Sequence, residues 1–121
     1  MPLVSVVIPT YNSEDYIAEA LTSVLNQTHQ NLEVLIVDDA STDNTIETVS
    51  QFAKKDHRIT LEKLEINSGA ATARNTAIKK AKGSYISFLD SDDKWLPNKL
   101  ELQLKFIEEK DCAVVFSSYY C

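Results

Sequence analysis

Residues 3–8 read LVSVVI and residues 32–37 read LEVLIV. Both runs are almost wholly apolar and rich in β-branched side chains, which suits strands covered on both faces, as in a parallel sheet. Residues 85–89 (YISFL) and 113–120 (AVVFSSYY) repeat the type. Residues 59–64 (ITLEKL) alternate apolar with charged residues instead, the pattern of an edge or half-exposed strand. Helix patterns lie between these runs. Ile17, Leu21, Val24 and Leu25 share one face, with Asn12 or Ser13 as cap and Glu14 and Asp15 near the positive end. A second helix follows residues 41–44 and carries Ile46, Val49, Phe52 and Ala53 on one side. A third runs from about Ala70 to Lys82, with Gly83 as its C′ residue. A fourth starts at Pro97 and carries Leu100, Leu104 and Ile107. The order β-α-β-α-β-α-β-α-β predicts an α/β fold, three layers α/β/α, with a mostly parallel sheet and right-handed crossovers.

The 121 residues suit one domain, without internal repeat or linker. The chain is 44% hydrophobic and 25% charged, which reads as globular, and roughly 65% of its unfolded surface can be buried. Eighteen acidic residues against 12 basic ones give a net charge of −6, which argues against nucleic acid as a partner. A polyanion could bind only through local donors or a metal. No apolar run is long enough to span a membrane, and the N-terminus lacks the basic and cleavage regions of a signal peptide. Cys112 and Cys121 form no metal knuckle and read as reduced thiols. The expected setting is cytoplasmic, with the inner face of the membrane open to the complete protein as a peripheral location.

In open parallel sheets, ligands sit beyond the carboxyl ends of the strands. Four polar clusters fall at those ends: Pro9-Thr10-Tyr11-Asn12, Asp38-Asp39, Asn67-Ser68-Gly69 and Asp90-Ser91-Asp92-Asp93. In an extended segment Asp90 and Asp92 point the same way and Ser91 the other. Two charges ~7 Å apart repel by about 2 kcal/mol at an effective dielectric near 20, a repulsion that a divalent cation reverses. Hard oxygen donors select Mg²⁺ or Mn²⁺, commonly shared with phosphates. The same run also suits a solvated acidic turn capping the next helix. Asp39 can accept a hydrogen bond from a base or a ribose, or cap the helix that follows it. Tyr11 can stack on a planar base while Thr10 and Asn12 supply hydrogen bonds, and Asn12 equally suits an N-cap. Small residues after Gly69 let backbone approach a ligand, and a helix N-terminus there attracts anions. Arg74 can reach a base carbonyl or a phosphate, lie on the surface, or clamp Asp38 or Asp39. His29 and His57 read as surface residues, and Trp95 as a packing residue that locks the acidic loop.

Taken in order, VSVVIPTYNSEDYIAEALTSVLNQT, LEVLIVDDASTDNT, NSGAATARN and YISFLDSDDKW resemble the inverting glycosyltransferases of family 2, which have the GT-A fold. The resemblance implies transfer of a sugar from a nucleotide diphosphate sugar, usually a UDP-sugar, to the hydroxyl of a glycan, lipid or protein acceptor. It places Pro9, Thr10, Tyr11 and Asn12 around the base, with Asp39 and Arg74 bonding it. Gly69 would let the backbone come close. Asp90-Ser91-Asp92 would be the DXD motif, with Asp90 near the ribose and Asp92, with Asp90, holding Mg²⁺ or Mn²⁺ on the diphosphate. The family's general base lies in the second half of its members, and no carboxylate follows Asp111 here. The expectation is therefore a single family 2-like domain over residues 1–121, shortened on its C-terminal side. Its last strand would be left to pair with a missing strand or with a second copy in a homodimer. The alternative is a non-catalytic module that binds a nucleotide sugar. Residues 35–39 (LIVDD) also suit a phosphate-signalling receiver, but no Lys closes the last strand, and Lys94 does not fit an aspartyl phosphatase motif.

Overall fold

The computed structural model describes residues 2–110, 113–115 and 118–120. Strands β1 (Val4–Thr10), β2 (Leu32–Asp38), β3 (Ile59–Lys63) and β4 (Tyr85–Phe88) form one parallel sheet in the order β3-β2-β1-β4. Helices α1 (Ile17–Leu25), α2 (Thr45–Lys55), α3 (Ala70–Lys80) and α4 (Lys99–Lys110) connect and follow them. The chain steps outward from β1 to β3, then returns across the sheet to place β4 on the other side of β1. The direction of winding therefore reverses between β1 and β4, and a crevice opens there beyond the strand ends.

Strand periodicity sorts the core into two layers. Val4, Val6, Ile8, Leu32, Val34 and Ile36 face Ile17, Leu21 and Val24 of α1, Val49 of α2, and Leu100 and Leu104 of α4. Val7, Leu35 and Val37 face the other way, against Ala73 and Ala77 of α3. This explains why both β1 and β2 are apolar at nearly every position. The α/β expectation holds, and the alternating run 59–64 is indeed the edge strand β3.

Several local expectations are corrected. Residues 113–120 do not extend the parallel sheet as a fifth strand. β5 (Ala113–Val115) and β6 (Ser118–Tyr120) pair with each other, antiparallel. The reading of Cys112 and Cys121 lies outside the described residues. Helix α3 ends at Lys80, and Gly83 serves close packing and not a left-handed cap: a Cβ there would stand 2.6 Å from Ser5 Oγ and 2.8 Å from the Leu3 carbonyl. Pro97 lies ahead of α4, which starts at Lys99. The buried Gln27 explains this, because its side chain donates to the Leu96 carbonyl (2.7 Å) and accepts from the Leu100 N–H (3.0 Å). Thr28 N–H also binds the Pro97 carbonyl at 2.8 Å. These bonds hold the approach to α4 against the end of α1. His29, read as a surface residue, is buried, with Nε2 donating toward the carbonyls of Pro2 (2.9 Å) and Asn31 (3.1 Å). Trp95 packs in the core as expected, and its N–H donates to Ser23 Oγ. Among the described residues, no helix is long and apolar enough to cross a membrane.

Candidate functional site

The crevice at the β1–β4 reversal is a cleft of about 430 Å³, within the ~300–1,000 Å³ range of ligand sites. Four separate segments line it: Pro9 through Ser13 with Tyr16, then Asp39, then Ala70, Ala73 and Arg74, then Asp90, Ser91 and Asp92. Every residue expected at the site is here except Gly69.

The β1 end is shaped by turns. Thr10 is buried and donates its hydroxyl to Asp38 Oδ1 at 2.8 Å, so that donor is engaged within the protein. Asp38 also accepts from the N–H (2.8 Å) and the hydroxyl (2.6 Å) of Ser41, so it fixes the β2 loop. Tyr11 remains half exposed, with its ring available to a ligand. Asn12 is not the helix cap expected of it. It adopts φ 46°, a left-handed conformation that Asn tolerates, and its Oδ1 accepts the Thr42 N–H at 2.8 Å. Helix α1 instead begins at Ile17 after Tyr16, without a side-chain cap. Ala40, next to Asp39, is also left-handed at φ 62°, where an L-residue is strained by ~1–2 kcal/mol.

Asp39 is only 5% exposed, and its role differs from a cap on α2. Its two carboxylate oxygens accept the backbone N–H groups of Ser68 (2.6 Å) and Gly69 (2.9 Å), which lead into α3. Each oxygen keeps a lone pair for a ligand donor. Gly69 sits at φ 94°, which only glycine takes readily, so it shapes this turn and does not line the cleft. Arg74 reaches the acidic loop from α3. Its guanidinium stands 3.7 Å from Asp90 Oδ1, an open pair with modest energetic weight.

The acidic loop turns at Asp90, whose carbonyl accepts the Asp93 N–H at 3.0 Å. Asp93 Oδ1 accepts the Lys94 N–H at 2.8 Å. Ser91 lines the cleft too, with its hydroxyl 2.6 Å from Ser13 Oγ. Asp90 and Asp92 are exposed in the cleft. Beside this loop, Thr45 donates its N–H (2.9 Å) and its hydroxyl (2.5 Å) to Asp43 Oδ1. Burial raises the Asp43 pKa, but these bonds and the Glu14 N–H outweigh it and hold the carboxyl below its ordinary 3.8.

Three carboxylates against one guanidinium make the cleft a poor host for a bare diphosphate. Among the described residues there is no group of three or more His, Cys, Asp or Glu able to hold a metal alone. Two hard carboxylates, completed by water and phosphate oxygens, do match how Mg²⁺ and Mn²⁺ bind at nucleotides. The residues therefore fit such an ion. Ser13, Tyr16, Ala70 and Ala73 were missed as lining residues. Ser13 and Tyr16 lie just past the PTYN cluster, and a tyrosine in the lead-in to an amphipathic helix was the available signal.

Comparison with known proteins agrees with this geometry. TuaG of Bacillus subtilis (strain 168), a glycosyltransferase named for teichuronic acid biosynthesis, is 53% identical over 118 residues, 98% of this chain and 47% of TuaG. The structure of Staphylococcus aureus TarS 1–349 with UDP-GlcNAc matches with TM-score 0.84 and 40% identity, over 90% of this chain and 32% of that one. The mannosyltransferase PcManGT of Pyrobaculum calidifontis, solved with GDP-Man and Mn²⁺, matches with TM-score 0.82 and 34% identity, over 88% and 32%. The chain thus spans less than half of TuaG and about a third of either solved protein. The family described as Glycosyl transferase family 2 matches residues 5–121, and the chain belongs to that family.

Proposed function

We propose that the cleft binds a nucleoside diphosphate sugar and that the complete protein is an inverting glycosyltransferase acting on an acceptor hydroxyl. The observation that carries this reading is the meeting of Tyr11, Asp39, Arg74, Asp90 and Asp92 in one cleft from four separate segments. The TarS complex with UDP-GlcNAc and the PcManGT complex with GDP-Man and Mn²⁺ support a nucleotide-sugar donor and a divalent ion. We read the base as uracil.

In this arrangement Tyr11 offers its ring to the base, and Asp39 accepts from the base with the lone pairs left by Ser68 and Gly69. Arg74 approaches Asp90 and restrains that carboxylate near the ribose. Asp92, with Asp90, would hold Mg²⁺ or Mn²⁺. A divalent cation supplies charge neutralisation for the departing nucleoside diphosphate. A carboxylate on the cation cannot also deprotonate the acceptor, and Asp39 is tied to backbone. The general base therefore comes from another segment of the complete protein.

Titration calorimetry with UDP and GDP, with Mn²⁺, with Mg²⁺ and with chelator, tests the reading. UDP should bind with either ion and lose most of its affinity in chelator. Asp92→Ala should weaken metal-dependent binding by more than the roughly 10–100-fold that loss of a supporting partner costs. Absence of metal-dependent binding of either nucleotide would sink it. If the complete protein binds the donor without turning it over, the non-catalytic module replaces the enzyme.

A further inference from the structure

We propose that Ser13 is a positioning residue whose hydroxyl, through Ser91, fixes the acidic loop against the strand that carries Tyr11. This rests on the donor-binding reading above. Ser13 is 7% exposed at the floor of the cleft, between the Tyr11 turn and the acidic loop. Its hydroxyl donates to the Tyr11 carbonyl at 3.1 Å, and a serine has one proton to give. The 2.6 Å contact with Ser91 joins two hydroxyls, and when Ser13 gives its proton to the Tyr11 carbonyl, Ser91 Oγ–H donates to Ser13 Oγ. Ser13 is itself held from behind, because its N–H donates to Thr45 Oγ1 at 2.8 Å and that hydroxyl donates to Asp43. The chain of bonds runs from α2 through Ser13 to the peptide between Asp90 and Asp92. Those two carboxylates are exposed, and apart from the Arg74 contact at Asp90 the loop sets their placement. Repulsion between them favours spreading, and the Ser13–Ser91 bond opposes it.

The test uses the present chain with Ser13→Ala, Ser91→Ala, the double variant and Ser91→Thr. Without ligand, hydrogen exchange at the Asp93 amide, which closes the loop turn, should speed up about tenfold in both single variants and return in Ser91→Thr. With ligand, each single variant should raise the Mn²⁺ needed for half-maximal UDP binding by about three- to thirtyfold. The double variant should lose no more than the worse single one, because both act through one bond. Binding of uridine without metal should fall less than metal-dependent UDP binding does in Ser91→Ala, which leaves the Ser13–Tyr11 bond in place. Unchanged exchange at Asp93 overturns the proposal, and so do additive losses in the double variant. If the unmodified chain binds neither UDP nor GDP with Mn²⁺, the donor-binding reading fails alone, and the exchange result still decides the role of Ser13.

Discussion

The two faces of the sheet are built to different standards. One carries three helices and large aliphatic side chains, Ile8, Ile36, Leu21 and Leu100 among them, all fully buried. Among the described residues, the other carries one helix, α3, which buries only Ala73 and Ala77. Alanines let a helix lie close to a sheet, whereas leucines hold it off. Closeness is what brings Ala70, Ala73 and Arg74 to the cleft. The thick face keeps the domain folded, and the thin face delivers a helix terminus to the cleft. Stability and recognition are thus separable in this molecule.

The largest effect expected from this contrast is on the thick face. Ile36→Ala should cost about 2–5 kcal/mol in urea unfolding while folded molecules keep their affinity for UDP with Mn²⁺. Equal loss of affinity and stability would break the separation. On the thin face, Ala77→Leu should overpack the α3 contact and cost about 1–3 kcal/mol. It should also weaken nucleotide binding in the folded fraction, because α3 is pushed off the sheet. Retained affinity would show that the position of α3 does not matter to the cleft. The smallest effect concerns Asp43. Its folded-state pKa is depressed, so its contribution is fully present above the ordinary 3.8 and is lost as pH falls through the lowered value. Asp43→Asn should flatten the acid limb of the stability–pH curve, read as the urea midpoint between about pH 5 and 2. An unchanged limb would remove Asp43 from the set of groups that brace Ser13.

The same contrast explains what could be read from the chain and what could not. The buried strands announce themselves, because apolar runs at 3–8 and 32–37 have few alternatives. The polar clusters at their ends point to one edge by topology alone, and nine of the ten residues expected at the site line the cleft. Pairing of polar groups was not readable, because it depends on contacts far apart in sequence. Asp39 reaches forward 29 and 30 residues to Ser68 and Gly69, and Ser13 reaches 78 to Ser91. Local propensity misled for the same reason. Asn12 and Pro97 have the chemistry of helix starts, but Thr42 and the turn after α1 claim them first. His29 is polar and lies in a loop, yet two distant or bent carbonyls make burial tolerable.

Strand β3 has a consequence for how such a domain can be elaborated. Its outer margin carries exposed Thr60 and Lys63, and Glu62 is held by Lys80 at 2.6 Å. A charged rim of this kind discourages any further strand from docking. Elaboration of the sheet is thereby directed away from β3 and toward β4, the strand that leads into Asp90 and Asp92.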